Sequence, residues 1–378
     1  MSISSLAKEH QDMILDGTKI AWYNERVEAW ARGERIAPIT IDMALTRTCN
    51  YKCVYCYATL QENKGVYKIR EEHMHPFLDD CAEIGVKGVS LVSDGESSIN
   101  PCFVDTIQYG HSKGLSMAVG SNAFLLKEST LRAILPCLTY LRINITAGEA
   151  QRYQEIMGVD AGKFEQVCAN ISTMMRLKKE LGLKCTIGTQ MVLMPSFVDQ
   201  VLPLAKLSVE LGVDYLQIKH CSDDEDGSLG VDYDAYRGLY DVLKQAEEMS
   251  TDKTLVKVKW SKIQDGNIRS YQRCYGPPFL LQLSGTGLIA PCGMLFNDKY
   301  KRYHMGNITE QRFKEVWQSA RYWEVIQELA SERFNAQTMC GSLCLQHSVN
   351  KYLDTWTKEG RPTLPTPVGV PPEHLEFV

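Results

Sequence analysis

Apolar residues along this chain fall into short runs with strand periodicity that take turns with longer stretches of helical periodicity. Ile39–Leu45 alternates and is apolar enough for a buried strand. Gly88–Ser93 is followed by a helix near 103–113, Leu115–Val119 by one near 127–136, and Tyr140–Ile145 by one near 161–181. Cys185–Leu193 leads to a helix near 197–211, and Tyr215–Lys219 to one near 232–249. Six β-α units in succession predict a parallel α/β sheet, because parallel strands need crossover helices. The pattern changes after about residue 250, where Thr254–Trp260 and Phe279–Leu283, with turn residues Ser284–Gly287, predict short antiparallel strands. Helices near 309–319 and 321–332 follow. Residues 1–38 read as a helical lead with Trp22, Val27 and Trp30 available for docking. From Gly360 the chain is rich in proline (Pro362, Pro365, Pro367, Pro371, Pro372) and reads as an extended strap. These shifts divide the chain into 1–38, 39–250, 251–354 and 355–378.

Composition narrows the class. At 378 residues, 44% hydrophobic and 23% charged, the chain can build two cores. A net charge of −5 gives no support for a nucleic-acid partner. No apolar run reaches the ~20 residues that span a bilayer, and Met1–His10 has no hydrophobic signal core, so no membrane partner and a reducing cytoplasm are expected. Thirteen cysteines in such a protein point to metal or redox use, not a disulfide framework. Cys81, Cys102, Cys137, Cys168 and Cys185 sit in apolar patterns and read as small core residues.

Cys49, Cys53 and Cys56 stand in a Cys-x3-Cys-x2-Cys run in the loop leaving the first strand. Three thiolates leave one iron of a cluster unclaimed; a zinc knuckle borrowing a distant fourth ligand is the alternative, with His73 and His75 outside the usual spacings. The run resembles the signature of the radical S-adenosylmethionine (radical SAM) superfamily. That resemblance implies a [4Fe–4S] cluster whose fourth iron chelates S-adenosylmethionine, an electron donor such as flavodoxin or ferredoxin, and hydrogen abstraction by a 5′-deoxyadenosyl radical. The fold it implies is a partial (β/α)6 barrel. Tyr55 stands where the family places an aromatic near the adenine. Ser93–Ser97 occupies the place of the family's Gly-Gly-Glu-Pro motif, with Gly95 and Glu96 kept and Asp94 and Ser97 departing from it. Ser121, Asn122, Asn144, Thr146 and Gln190 at or near later strand ends suit the ribose and carboxylate of the cofactor, or internal hydrogen bonds.

Cys274-x12-Gly287-x4-Cys292 and Cys340-x3-Cys344 supply four further thiolates, enough to close a cluster with no open iron, or a zinc ribbon. This arrangement, with Met305–Trp317, resembles the small α+β twitch domain, the shortened SPASM module of enzymes with auxiliary clusters. Two [4Fe–4S] clusters and S-adenosylmethionine are thus the implied cofactors. The activity expected is dehydrogenation or epimerisation of a small sugar- or aminocyclitol-type metabolite. The alternatives are a peptide-modifying enzyme and a non-enzymatic iron–sulfur carrier. Cys221, directly after Lys219 and His220 at the end of the sixth strand, is a candidate hydrogen donor, and Lys219 or His220 a candidate base. Ser222–Ser228 carries four carboxylates in sequence; at a barrel mouth they would favour a cationic substrate.

Overall fold

The computed structural model describes residues 18–61, 69–266, 268–342, 344–364 and 370–378. Residues 1–17 of the lead, and Pro365 and Pro367 of the tail, lie outside these. The six expected strands form: β1 (Thr40–Met43), β2 (Gly88–Leu91), β3 (Ser116–Ser121), β4 (Leu138–Asn144), β5 (Thr186–Leu193) and β6 (Tyr215–His220). All pair in parallel with their neighbours in chain order. Helices Glu71–Ile84, Phe103–Ser112, Glu128–Ile134, Gly162–Glu180 and Val201–Leu211 make the crossovers. Their apolar faces meet the sheet in one continuous core that includes Phe77, Ile107, Leu131, Ile171 and Leu204.

Four more strands extend the sheet: β7 (Leu255–Val258), β8 (Leu280–Leu283), β9 (Leu288–Ala290) and β10 (Gly306–Asn307). The full order is β10-β9-β8-β1-β2-β3-β4-β5-β6-β7. The expectation that Thr254–Trp260 is antiparallel is corrected: β7 runs parallel to β6, with Tyr215 beside Leu255. Helix Tyr240–Glu248 acts as one more crossover, and Glu247 holds the new strand by accepting from Val258 N–H at 3.0 Å and Trp260 Nε1 at 2.9 Å. Strand β8 is antiparallel to β9, as the turn at Ser284–Gly287 predicts, yet parallel to β1 on its other side. The open, barrel-like sheet therefore carries eight parallel strands, β8 and β1–β7, and the smaller helix-rich region grows from its β8 edge.

The lead docks as expected. Val27 is buried, and Trp30 packs edge-on to Tyr275 and Phe279 at 5.4 and 5.8 Å. Helix His347–Lys358 joins this second apolar cluster through Val349 and Leu353. The end of the tail closes the N-terminal mouth of the barrel. Thr40 Oγ1 donates to the Glu376 carbonyl at 2.7 Å and accepts from Val378 N–H at 3.1 Å. Phe377 packs edge-on to Tyr140 at 5.1 Å, and the His374 ring stacks on the same tyrosine. Gly88 admits this plug, since a Cβ there would lie 2.8 Å from the Glu376 carbonyl. Among the described residues no helix is long and apolar enough to cross a membrane.

Phe377 is 2% exposed, so truncating it empties the plug. Phe377→Ala is expected to lower the free energy of unfolding by about 3 kcal/mol, read from the denaturant midpoint. An unchanged midpoint would show that the tail only rests on the barrel.

Candidate active site

The cysteine loop leaves β1 at the carboxyl ends of the strands and is tied down on three sides. Arg47 pairs with Asp94 at 3.2 Å and donates to the carbonyls of Ala58 and Gln61 at 3.2 and 2.8 Å. Glu96 N–H donates to the Thr48 carbonyl at 3.0 Å, and Val54 N–H to that of Ile156 at 3.0 Å. Gly158, at φ 63°, ends helix Ala150–Met157 so close to the loop that a Cβ would meet the Lys52 carbonyl at 2.2 Å. Cys53 and Cys56 are half-buried and Cys49 is exposed. Burial, then repulsion from Cys56 and Cys49, pushes the Cys53 thiol up to about 12. Crowded thiols that resist ionisation suit a cationic metal, which deprotonates such thiols on binding.

Around this loop the strand ends hold the expected polar residues, with different duties. Glu96 Oε1 accepts from Ser98 N–H, Ser98 Oγ and Ser121 Oγ, and among the described residues Oε2 accepts only Asn122 N–H, at 2.8 Å. Oε2 thus keeps a lone pair for an ammonium. Asn122 Nδ2 donates to Asn50 Oδ1 at 2.7 Å, and Gln190 Nε2 to Asn144 Oδ1 at 2.8 Å. Asn50 Nδ2 and Gln190 Oε1 are left buried with no partner. Thr146 Oγ1 accepts from Val192 N–H at 3.3 Å. The Tyr55 hydroxyl donates to Met157 Sδ at 3.2 Å, and its ring meets Phe197 edge-on. An orphan donor next to Cys49 and an orphan acceptor on β5 fit a polar cofactor such as S-adenosylmethionine. Asp94 takes another place: its carboxylate accepts from Ser284 Oγ at 2.6 Å and Gly285 N–H at 2.9 Å, holding the β8–β9 turn against Arg47.

The residues at the end of β6 separate. Lys219 faces the barrel lumen with the alternate residue Gln217. Burial, then Arg142 and nearby lysines, pushes its amine well below the ordinary lysine range. His220 turns the other way and packs against Tyr233 and Tyr236, its Nδ1 on the Cys221 carbonyl. Burial holds it neutral, at about 3, and it lines a small pocket with Lys262, Asp265 and His347, away from the lumen. Cys221 is fully buried, its Sγ 3.9 Å from the Tyr55 carbonyl, and burial pushes its thiol up to about 12.

Each carboxylate of the acidic loop has a partner within the chain. Asp223 accepts from Leu229 N–H at 2.9 Å and Val231 N–H at 3.2 Å, and Asp224 from Ser228 N–H at 2.9 Å. Glu225 and Asp226 pair with Lys299 at 2.5 and 3.3 Å. Four carboxylates in a row serve the turn and its neighbour.

Cys274, Cys292, Cys340 and Cys344 line one cavity with Arg269, Tyr271 and Asn350. The Tyr271 hydroxyl lies 3.5 Å from Cys344 Sγ, and Asn350 Nδ2 donates to Cys274 Sγ at 3.5 Å. Asn350 Oδ1 in turn accepts from Tyr275 and Gly276 N–H at 2.6 and 2.8 Å, fixing the chain beside Cys274. Burial pushes the Cys292 thiol up to about 12 and raises those of Cys274 and Cys340 too. Sequence reasoning missed Arg47, Arg269, Tyr271 and Asn350. A polar residue six positions after Cys344 is the one hint the sequence offers for Asn350.

Known proteins place this architecture. The family model described as the radical SAM superfamily matches residues 43–208, and that of an iron-sulfur cluster-binding domain, SPASM, matches residues 274–344. The AdoMet-dependent heme synthase of Methanosarcina barkeri is 22% identical over 77% of this chain and 85% of its own. A tungsten-containing aldehyde ferredoxin oxidoreductase cofactor-modifying protein of Pyrococcus furiosus is 19% identical over 74% and 81%. Among solved structures, Streptococcus suis SuiB bound to S-adenosylmethionine superposes with a TM-score of 0.60 at 16% identity, covering 80% of this chain and 71% of that one. Native anSMEcpe with bound AdoMet gives 0.55 at 15% identity, over 84% and 96%. With its cysteine loop, its barrel-like sheet and the four-cysteine cavity beside them, the chain belongs to the radical SAM superfamily with a C-terminal SPASM/twitch domain, and is an iron–sulfur, S-adenosylmethionine-binding enzyme of the oxidoreductase type.

Proposed function

We propose that Cys49, Cys53 and Cys56 hold one [4Fe–4S] cluster with an iron left for S-adenosylmethionine. Cys274, Cys292, Cys340 and Cys344 hold a second with none left, and the enzyme oxidises an unactivated C–H centre of a peptide substrate. The observation that carries this reading is the division of seven thiols, three in one loop and four around one cavity. When bound, the first cluster and S-adenosylmethionine supply a carbon-centred radical able to take a hydrogen atom. The chain's own residues prepare the rest. Glu96 and Asn122 hold the methionine end through the open lone pair and the Asn50 contact. Lys219, whose amine burial pushes well below the ordinary lysine range, is the base for the proton released from the group next to the reacting carbon. A second cluster held by Cys274, Cys292, Cys340 and Cys344 would supply the acceptor for the electron left on the substrate radical after this deprotonation.

The peptide class is preferred to a sugar or aminocyclitol because the acidic loop, the motive for a cationic substrate, is engaged in its own turn and with Lys299. The fold shared with SuiB, solved bound to precursor peptide SuiA with a TM-score of 0.60, supports the same side. Cys221 favours a second outcome. Its thiol stays protonated, so it holds a hydrogen atom that a substrate radical could take, which would give epimerisation.

Replacing Cys49, Cys53 and Cys56 together with alanine is expected to remove about half of the iron from anaerobically reconstituted protein and to end 5′-deoxyadenosine formation. Full iron retention, or zinc in its place, contradicts the two-cluster reading. Cys221→Ala in heavy water separates the outcomes. Dehydrogenation predicts that the variant still forms the product, lighter by H2 and without solvent deuterium at the reacting carbon. Deuterium at that carbon in a wild-type product of unchanged oxidation state, lost in the variant, assigns the hydrogen to Cys221 instead.

A further inference from the structure

Strands β1–β8 carry a single carboxylate, Asp42, against Arg142, Lys219 and Lys257. Arg142 is level with Gly188 on β5 and, by alternation, faces the lumen with Tyr140 and Asn144. Its guanidinium lies beside Gly120 on β3, where a Cβ would come 3.6 Å from Nη2. Its Nε is buried with no hydrogen-bond partner, and the guanidinium pairs with no carboxylate among the described residues. Asp42 feels the charge of Arg142 but makes no ion pair with it among the described residues: it accepts from Ser90 Oγ and is bonded by Gln282, and burial, the largest cause, pushes its carboxyl toward the neutral form. Lys219 is pushed the same way by burial and by Arg142. A guanidinium does not deprotonate in proteins, so this charge stays inside the barrel. Leaving such a charge unpaired is costly, and an incoming anion removes the cost.

We infer that Arg142 anchors a carboxylate of the substrate in the lumen, one strand step below Asn144 and the cofactor residues. This rests on the reading above that the lumen is the substrate chamber. The planar fork of the guanidinium takes both oxygens of a carboxylate at once, which fixes position and rotation together. The reacting carbon is then held between this anchor and the mouth of the barrel, on the side where Lys219 and Cys221 stand. The carboxylate belongs either to an acidic residue of a peptide or to a free organic acid, and the lumen chemistry is the same for both.

The test is calorimetric titration of S-adenosylmethionine-loaded holoprotein with succinate, with acetyl-Gly-Glu-Gly amide and with their neutral counterparts succinamide and acetyl-Gly-Gln-Gly amide. Wild type is expected to bind at least one of the two carboxylates and neither neutral probe, the tighter of the two naming the source. Arg142→Gln is expected to weaken that binding about tenfold or more, with Arg142→Lys between them. Iron content and S-adenosylmethionine affinity, measured on the same samples, should not change. Equal binding of charged and neutral probes, equal binding by Arg142→Gln and wild type, or no binding of either carboxylate overturns the inference. So does a loss of S-adenosylmethionine affinity in Arg142→Gln, which would give the guanidinium to the cofactor. If wild type itself lacks iron or S-adenosylmethionine binding, the earlier reading has failed, and that is seen apart from these results.

Discussion

Where the chain leaves β1, the backbone of Thr46 and Arg47 is pressed between two glycines. A Cβ at Gly95 would lie 2.1 Å from the Thr46 carbonyl, and one at Gly285 would lie 2.2 Å from the Thr46 carbonyl carbon. Gly95 also sits at φ 99°, a backbone that side chains resist. Buried Asp94 locks the same point, joining Arg47, Ser284 and Gly285 in one set of bonds. Three segments with separate duties are thereby held in one place: the cysteine loop, the turn that carries Glu96, and the β8–β9 hairpin that leads to Cys292. Movement in any one would displace the others, so the barrel and the smaller region are fixed relative to each other through backbone contact rather than through a flexible joint.

Electrostatics completes what this packing starts. Burial opposes ionisation of Cys49, Cys53 and Cys56 in one group and of Cys274, Cys292 and Cys340 in the other, and a bound cationic metal would favour their thiolate forms. Inside the lumen the sign is reversed, with a guanidinium and a lysine pushed toward neutrality where the strands supply one acid that burial pushes the same way. The metal sites want positive charge and the chamber wants negative charge. Placing the two demands side by side suits a reaction in which electrons leave a substrate held by an anionic group.

Much of this was legible from periodicity and cysteine spacing. The six parallel strands follow from runs such as Tyr140–Ile145 because burial on both faces leaves an apolar signature, and the two groups of three and four cysteines were singled out by their spacing together with the family resemblance. Strand β7 was misread because Leu255–Val258 alternates between buried and half-buried residues, as an edge strand does whichever way its neighbour runs. The carboxylates of Asp223–Asp226 look like a charged surface in sequence, and only their backbone partners show that they fold a turn. Asp94 was assigned to the cofactor from its place in a motif, whereas its partners Ser284 and Gly285 lie 190 and 191 residues away. Arg142 gave no signal either, since an arginine within an apolar run reads as snorkelling until the register shows what surrounds it.

The central claim is that the two thiol groups hold chemically different clusters, one open to S-adenosylmethionine and one closed. Electron paramagnetic resonance of the reduced holoprotein, recorded before and after adding S-adenosylmethionine, tests it directly. The account predicts two [4Fe–4S]+ signals, of which one changes its g-values on addition while the other stays as it was. A single signal, two signals that both stay fixed, or two that both move would contradict it.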